Sequence, residues 1–288
     1  FLGGRSLGPW VSAMSAEASD MSGWLLMGLP GAAYWCGLAD AFWTAAGLAV
    51  GTYINWLVVS KRLRRYSIAA NNAITLPEFF SNRFHEKKKV IMGISAAFIL
   101  VFFTVYAASC LVTCGKLFST LFGAPYITMM LVGAAFVLIY TLLGGFLAES
   151  ASDFMQAIVM VVVLVAVLTL GVANAGGLGA VFENVKDFPG FLEFFGIADP
   201  VTEGGVQLAV NGVPSFGARQ DYGALSVASM LAWGLGYFGM PQVLLRFMAI
   251  RREDELKRAR RVAMVWVVIS LAAAIMIGIV GRALFPTA

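Results

Sequence analysis

The sequence predicts an all-α polytopic membrane protein, whose helices cross a lipid bilayer several times. The first observation is composition: 60% of the 288 residues are hydrophobic and 12% are charged, whereas about a quarter of the residues in soluble domains are charged. The second is distribution, since the charges form short groups that leave apolar stretches as long as a membrane helix. The 20 basic and 16 acidic residues are too evenly balanced to favour a nucleic-acid partner.

Seven stretches are predicted to span the membrane, at residues 10–30, 32–59, 90–115, 126–143, 150–172, 223–245 and 262–283. We expect residues 1–288 to belong to one transmembrane domain that is truncated at both ends. Between the fifth and sixth spans, residues 173–222 are rich in Gly and Pro and carry no long periodic run. They predict an external loop, with short helices near 178–187 and 188–196.

The basic residues predict the orientation of these spans. Most of them fall into four groups, which are Arg5, 61–65, 83–89 and 246–261. The middle two groups share one loop, and an even number of predicted spans separates that loop from each of the others, so all four can face one side. The positive-inside rule makes that side the cytoplasm. We therefore expect a multi-pass protein of the cell (inner) membrane, in contact with lipid and with cytoplasmic basic loops.

Residues with reactive side chains are few and scattered. Cys36, Cys110 and Cys114 lie in apolar spans, where a thiol packs as a small hydrophobe, and the single histidine, His85, lies in a charged loop. A transition-metal site needs three or four ligands, and covalent catalysis needs a nucleophile beside a base. The sequence therefore favours neither a transition-metal site nor an enzyme, and we expect no cofactor.

The first span contains polar residues that an unbroken membrane helix would avoid. Residues 15–24 place the carboxylates of Glu17 and Asp20, together with three hydroxyls, at membrane depth beside Gly23. Because burying a carboxylate in hydrocarbon costs several kcal/mol, such residues usually face a water-filled cavity on an ion or substrate route. The alternative is a structural role, in which they cap a helix or join helices by hydrogen bonds.

The sixth span also contains a predicted break. Its glycines weaken a helix by about 1 kcal/mol each and its proline by ~3 kcal/mol. Backbone N–H and C=O groups that lose their helical partners at membrane depth normally line a cavity. Trp233, Tyr237 and Pro241 recur every four residues, which predicts one aromatic face beside the break. The alternative is close helix packing through Gly236 and Gly239.

The two predicted breaks lie in corresponding spans. Spans one and six are an odd number of crossings apart, which makes two five-helix repeats inverted relative to each other. Paired interrupted helices in inverted repeats indicate the binding site of a secondary transporter. Helix N-termini at such breaks offer N–H groups to a carboxylate, and helix C-termini offer carbonyl oxygens to a small cation.

Eight stretches carry specific motifs, which are Phe1-Leu-Gly-Gly-Arg-Ser-Leu-Gly-Pro9, Ala18-Ser-Asp-Met-Ser-Gly-Trp-Leu-Leu-Met-Gly-Leu-Pro-Gly31, Tyr53-Ile-Asn-Trp56, Asn72-Ala-Ile-Thr-Leu-Pro77, Phe102-Phe-Thr-Val-Tyr106, Gly144-Gly-Phe-Leu-Ala148, Trp233 to Pro241, and Arg246-Phe-Met-Ala249. Through these motifs the chain resembles the sodium/solute symporter family, and within it most closely the members that carry proline. The motifs occur in order along the chain and leave about 194–222 unmatched.

The resemblance implies a LeuT-type inverted-repeat core, of which the chain would hold seven core helices, and sodium-coupled import of proline by alternating access. It implies sodium binding by four residues of the first span, two of them through backbone carbonyls (Ala18 and Met21) and the others being Asp20 and Ser22. It implies substrate contacts from Ser22, Gly23, Tyr106, Trp233, Tyr237 and Pro241. It also implies coupling or gating roles for Arg5 and Asp153, although Asp153 could equally be a simple cap on span five.

Departures from the family pattern keep other substrates open. Glu17 stands where a small residue is expected, Met240 and Gln242 replace polar and histidine residues, and residues 194–222 are long and unmatched. Proline is the expected substrate, with Na⁺ as the coupling ion. The alternatives are another small solute, such as a different amino acid, pantothenate or a monocarboxylate, and a membrane sensor built on the same core.

Overall fold

The computed structural model describes residues 2–20, 23–210 and 212–287, and most of them are helical. The α-helices are α1 (Pro9–Asp20), α2 (Leu29–Cys36), α3 (Leu38–Ile54), α4 (Ser60–Ala69), α5 (Leu76–Arg83), α6 (Val90–Phe122), α7 (Tyr126–Asn174), α8 (Leu178–Val185), α9 (Ala224–Ala232), α10 (Pro241–Ala249) and α11 (Leu256–Leu284). Two π-helical segments, Trp24–Gly28 and Asn55–Val59, precede α2 and α4. Helical segments thus occur in all seven predicted spans. That each of them crosses the membrane stays a prediction.

Several of the helices are suited to a membrane by length and composition. Within the described residues, four helical stretches are long and apolar enough to cross it, which are Leu38–Ala69, Val90–Phe122, Tyr126–Asn174 and Glu253–Leu284. A bilayer core of about 30 Å needs roughly 20 helical residues. The chain is therefore a multi-pass membrane protein, as its composition predicts.

Helix α7 is interrupted at Gly145. At 49 residues, an unbroken helix would be about 74 Å long at 1.5 Å per residue, more than twice the thickness of the bilayer core. Gly145 has φ 58° and ψ −154°, a conformation that side chains with a Cβ rarely adopt. The glycine therefore divides α7 into two helical parts, which cover the predicted spans 126–143 and 150–172.

The chain divides into two compact units. Unit one comprises Phe1–Gly23, Ile54–Ala157 and Phe238–Ala263. Its hydrophobic core lies where α10 packs against α1 and α4, and Trp56 and Phe247 meet there edge to face, with ring centroids 4.5 Å apart. Leu7 extends this packing, because its N–H donates to the carbonyl of Ala249 and its carbonyl accepts from the N–H of Arg251. The chain before α1 is thereby fixed to the end of α10.

Unit two comprises Trp24–Tyr53, Ile158–Tyr237 and Met264–Ala288. Its long loop is folded into three short antiparallel strand pairs: β1 (Gly196–Ile197) with β6 (Gln220–Asp221), β2 (Thr202–Glu203) with β3 (Val206–Gln207), and β4 (Ala209–Val210) with β5 (Val213–Pro214). Of the short helices expected here, the first is α8. The second, near 188–196, is wrong: Pro189 lacks an N–H and Gly190 has φ 68°, and the chain forms turns before β1.

Candidate functional site

The sixth predicted span is interrupted where its glycines and proline lie. Helix α9 ends at Ala232, a 3-10 segment covers Trp233–Gly239, and Met240 is extended with φ −75° and ψ 108°. Pro241 then begins α10, where its missing N–H leaves no hydrogen bond unmade. The predicted break is confirmed, and its cause is the local Gly and Pro chemistry that weakens an α-helix.

Close helix packing also occurs in this segment, but at a different glycine from those predicted. A Cβ placed on Gly234 would lie 3.2 Å from the Cα of Gly51, and one placed on Gly51 would lie 2.6 Å from the Cα of Gly234. These two backbones therefore touch only because both residues are glycine. At Gly236 and Gly239, by contrast, nothing lies within 4 Å of an added Cβ. The alternative of close packing through Gly236 and Gly239 is therefore not observed in the described part of the chain.

The predicted aromatic face is also wrong. It relied on the α-helical period, in which residues four apart share a face, but Trp233–Gly239 is a 3-10 segment with about 3 residues per turn. Trp233 is accordingly 50% exposed, with its ring centroid 5.1 Å from that of Trp24, while Tyr237 is buried. The two rings therefore have different surroundings.

The hydroxyl of Tyr106 in α6 contacts the last described turn of α1. Ser19 and Asp20 are the last residues of α1 before residues 21 and 22, which lie outside the described part of the chain. The Tyr106 hydroxyl lies 3.4 Å from the carbonyl oxygens of Ser19 and Asp20, to which it donates. This contact joins α6 to α1 beside the residues predicted to bind Na⁺.

Other residues predicted for ion and substrate binding lie nearby in the sequence. Met21 and Ser22 lie outside the described residues. A Cβ on Gly23 would lie 2.8 Å from the Cβ of Thr113 in α6. Gly23 is thus required for close packing against α6, whether or not it also contacts a solute.

Glu17 has a structural partner that the sequence did not reveal. Only 2% of the residue is exposed, and its Oε1 accepts a hydrogen bond of 3.0 Å from the indole Nε1 of Trp56. The indole N–H is a donor only, so a buried tryptophan needs such an acceptor. This departure from the family pattern therefore belongs to the packing of α1 in unit one.

Arg246 forms a buried network with two acidic residues. Its Nη2 lies 2.8 Å from Oδ2 of Asp153 and 3.0 Å from Oε1 of Glu149, and only 2% of its side chain is exposed. Its Nε donates to the hydroxyl of Ser15, which in turn donates to Asp153, and its Nη1 donates to the carbonyl of Gln242. Nε, Nη1 and Nη2 of Arg246 each have a charged or strongly polar acceptor, as burial of a guanidinium requires.

This network bears on the capping role considered for Asp153. The residue lies more than two turns after Gly145, too far along α7 to cap a helix, and its carboxylate binds Ser15 and Arg246. The capping role is therefore wrong. Sequence reasoning counted Arg246 with the cytoplasmic basic run and missed this pair. The available signal was Asp153 itself, since an acidic residue inside an apolar span needs a cationic partner.

Arg5 joins three separate parts of unit one. Its Nη1 donates to the carbonyl of Met248 at 2.6 Å and to the hydroxyl of Ser67 at 3.2 Å. Its Nη2 donates to the carbonyl of Ala73 at 2.8 Å, and its Nε to Oδ1 of Asn72 at 3.0 Å. Arg5 has φ 54°, a left-handed conformation that costs about 1–2 kcal/mol for a residue with a Cβ. Four hydrogen bonds offset that strain and tie the N-terminal turn to the ends of α4 and α10.

The family model described as "Sodium:solute symporter family" matches residues 1–288. The chain belongs to this family. It is 41% identical over 284 residues to the "Sodium/proline symporter" of Escherichia coli (strain K12). This alignment covers 99% of this chain and 52% of that protein. Two proteins of Bacillus subtilis (strain 168) match similarly: the "Osmoregulated proline transporter OpuE" is 41% identical over 98% of this chain, and the "High-affinity proline transporter PutP" 42% over 99%. The chain spans about half the length of the curated relatives it matches.

Family membership confirms the resemblance and the fold class. A sodium:solute symporter has a LeuT-type core, and the long apolar helices with an interrupted sixth span agree with it. The match includes residues 194–222, which carried no motif on inspection of the sequence. The roles of individual residues in ion and substrate binding stay predictions.

Metal-binding side chains do not cluster in the described part of the chain. Among the residues that the structure describes, no group of three or more His, Cys, Asp or Glu is placed to hold a metal ion.

Proposed function

We propose that the protein is a sodium-coupled secondary active transporter that imports proline by alternating access, and that it carries out transport rather than a chemical reaction. The observation that carries this proposal is the match, over 99% of the chain, to relatives named as proline symporters and transporters. The interrupted sixth span supports it, because broken helices at membrane depth are the feature that transporters use to expose backbone groups to a solute.

Sodium binding is proposed in the first predicted span. The carbonyl of Ala18 and the carboxylate of Asp20 lie there, close in sequence to the two carbonyls that Tyr106 contacts. Met21 and Ser22 complete the set by resemblance to the family. Na⁺ acts here as the coupling ion, and no other cofactor is proposed.

Proline is the proposed substrate, and the residues assigned to it come from the resemblance. In unit one these are Gly23, Tyr106 and Pro241, with Ser22 between the described segments. In unit two they are Trp233 and Tyr237. A half-exposed indole such as that of Trp233 offers an apolar surface for a small ring, while helix N-termini offer N–H groups to a carboxylate.

Transport against a gradient needs an energy source, which the membrane supplies. One positive charge that moves inward down 100 mV releases about 2.3 kcal/mol. That energy corresponds to roughly fifty-fold accumulation of solute before any sodium gradient is added. A single coupled Na⁺ is therefore sufficient to concentrate proline.

Alternating access requires contacts that break when the cytoplasmic side opens. We propose that Arg5 and the pair of Arg246 with Asp153 are such contacts. Both tie α10 to other parts of unit one through charge-assisted hydrogen bonds. Their bonds to carbonyls and carboxylates can be exchanged for water when these elements separate, which is the behaviour expected of a gate.

The proposed location is the cell (inner) membrane, with the four basic groups in the cytoplasm and residues 173–222 outside. The basis is the positive-inside rule. Cysteines introduced singly at Asp187 and Lys88, in a variant that lacks the native cysteines, would test it. A membrane-impermeant thiol reagent added to intact cells should label the first and not the second, and the reverse pattern would reject the orientation.

The test of function is uptake of labelled proline by the full-length protein in liposomes. We expect accumulation with an inward Na⁺ gradient and none when K⁺ replaces Na⁺. Uptake that does not depend on Na⁺ would reject sodium coupling. Competition with unlabelled proline, other amino acids, pantothenate and a monocarboxylate identifies the substrate, and inhibition by one of the others but not by proline would reject proline. Absence of uptake for every solute would favour a sensor.

A further inference from the structure

A shallow cavity of about 380 Å³ opens on the surface of unit one, where α4 and α5 line it. Its volume lies in the ~300–1,000 Å³ range of small-molecule sites. One part of its wall is apolar and is formed by Val58, Val59, Leu63 and Phe79. The other part carries polar side chains, which are those of Arg62, Tyr66 and Arg83.

Arg62 and Arg83 bring two positive charges to this cavity. Both residues are exposed, and neither forms an ion pair within the part of the chain that the structure describes. The guanidinium of Arg83 lies over the ring of Tyr66, 5.0 Å from its centroid. This stacking holds the guanidinium in place and leaves its N–H edge available to an acceptor. The cavity therefore offers positive charge and N–H donors to an anion.

Two neighbouring basic residues, unlike Arg62 and Arg83, form ion pairs with an acidic residue. Lys61 Nζ and Arg65 Nη2 lie 3.3 Å and 2.8 Å from the same oxygen of Glu253. Two nearby cavities include Glu253 and Glu86 in their linings, whereas the lining around Arg62 and Arg83 contains no acidic residue. A carboxylate in the wall would repel a phosphate. Of the three cavities, the one lined by Arg62 and Arg83 is therefore suited to an anionic ligand.

The apolar wall favours a lipid over a free anion. Val58 is 39% exposed and the preceding Leu57 is 48% exposed, at the end of the predicted span 32–59. Exposed aliphatic carbons are followed within one turn by Arg62. The same order, hydrocarbon and then phosphate, occurs along a phospholipid molecule at the membrane surface. A free phosphate would use the guanidiniums and leave the wall uncovered.

We propose that this cavity binds an anionic phospholipid of the cytoplasmic leaflet, with its phosphate between Arg62 and Arg83 and an acyl chain along Val58 and Val59. Paired N–H groups of guanidinium match phosphate oxygens, and basic pockets at the cytoplasmic ends of membrane helices suit anionic headgroups. The inference uses the orientation proposed above and does not depend on which solute is transported.

Lipid retention by the purified full-length protein tests this proposal. Native mass spectrometry after incubation with equal amounts of phosphatidylglycerol and phosphatidylcholine gives the ratio of the two bound lipids. Because each guanidinium that contacts the lipid phosphate contributes about fivefold to binding, the double variant Arg62→Gln/Arg83→Gln should lower this ratio roughly thirty-fold. The matched control Lys87→Gln/Lys88→Gln removes the same charge outside the cavity, where no contact with the lipid phosphate is proposed, and should change the ratio less than about twofold.

Three results would overturn the proposal. The first is equal retention of the two lipids by the unaltered protein, and the second is an equal loss of preference in the cavity variant and the control. The third is displacement of phosphatidylglycerol by an equal concentration of inorganic phosphate, which would make the site one for a free anion. If the double variant does not fold, the single variant Arg62→Gln, with an expected fivefold loss, and the phosphate competition decide the question.

Discussion

The guanidinium of Arg246 lies 2.8 Å from the carboxylate of Asp153, and 2% of the arginine side chain and 12% of the aspartate side chain are exposed. The same nitrogen lies 3.0 Å from the carboxylate of Glu149, which is 36% exposed. One arginine thus holds a buried and a partly exposed carboxylate through a single atom. Removing one partner of a buried pair destabilises a protein by about 3–5 kcal/mol, whereas an exposed pair contributes only about 0–1 kcal/mol.

Substitution of Asp153 should therefore be far more harmful than substitution of Glu149. We expect Asp153→Asn to lower the free energy of unfolding by about 3 kcal/mol or more, because it leaves the Arg246 charge buried, and Glu149→Gln to lower it by less than about 1 kcal/mol. Thermal unfolding of both variants in the same detergent measures this difference. Equal losses of stability would show that Arg246 does not distinguish the two carboxylates.

Features that depend on local chemistry could be predicted from the sequence. The break in the sixth span follows from Gly234, Gly236, Gly239 and Pro241, because these residues weaken any helix that contains them. The gap between the apolar stretches 126–143 and 150–172 likewise predicts the division of α7. In each case the residues that cause the feature lie next to it in the chain.

Features that depend on packing could not be predicted in the same way. Asp153 and Arg246 are separated by 93 residues, so the sequence shows only that each needs a partner. The prediction of an aromatic face was wrong for another reason. A 3-10 segment with about 3 residues per turn replaces the α-helix whose period was assumed. Which backbone would approach Gly234 was equally hidden, since that contact comes from α3.

The glycines of the sixth span should respond differently to alanine. We expect Gly234→Ala to reduce stability, by about 1–3 kcal/mol as for other overpacked sites, because its Cβ would overlap the backbone of Gly47 and crowd that of Gly51. Gly236→Ala should be tolerated, since nothing lies within 4 Å of its Cβ. The melting temperatures of the two variants decide this, and a larger loss in Gly236→Ala would contradict the observed packing.

The two aromatic residues of this segment should also differ. Trp233→Ala should weaken proline binding by about 1–3 kcal/mol if the half-exposed ring contacts the solute, while the loss of its contact with Trp24 costs stability only about 0.5–1.5 kcal/mol. Tyr237→Ala should lower both affinity and stability, because Tyr237 is buried. Equilibrium binding and thermal unfolding separate the two effects, with Trp233→Phe and Tyr237→Phe as controls. Normal affinity in both alanine variants would mean that the rings only pack.

The loop of unit two should loosen in acid. Arg219 Nη2 lies 2.6 Å from Oε2 of Glu193, and these residues precede the paired strands β6 and β1. The hydrogen bond from Arg219 lowers the pKa of Glu193 below its ordinary value. The stabilisation is therefore present above that ordinary value, about 4.3, and is lost as the pH falls through the lowered pKa.

Hydrogen exchange measures this effect through the protection of amides in β1 and β6. We expect protection factors to be lower at pH 3 than at pH 6 in the unaltered protein. In Arg219→Gln the protection should already be low at pH 6 and should change little on acidification. An unaltered pH dependence in that variant would assign the effect to other carboxylates.

Asp20 and Glu17 lie one turn apart near the end of α1, and they should affect sodium coupling unequally. Glu17 is buried, and its oxygen accepts from the indole of Trp56, a bond that Glu17→Gln can keep. Asp20 lies in α1 among the residues proposed to bind Na⁺. Removing a charge beside a cation costs up to about 4 kcal/mol at an effective dielectric constant of 20, so Asp20→Asn should raise the Na⁺ concentration for half-maximal uptake at least about tenfold. Glu17→Gln should change this Na⁺ concentration less than about twofold.

Uptake measured over a range of Na⁺ concentrations, with the amount of folded protein determined in parallel, distinguishes the two outcomes. If Asp20→Asn instead reduces folded protein as much as it reduces uptake, the role of Asp20 is structural and the sodium site lies elsewhere.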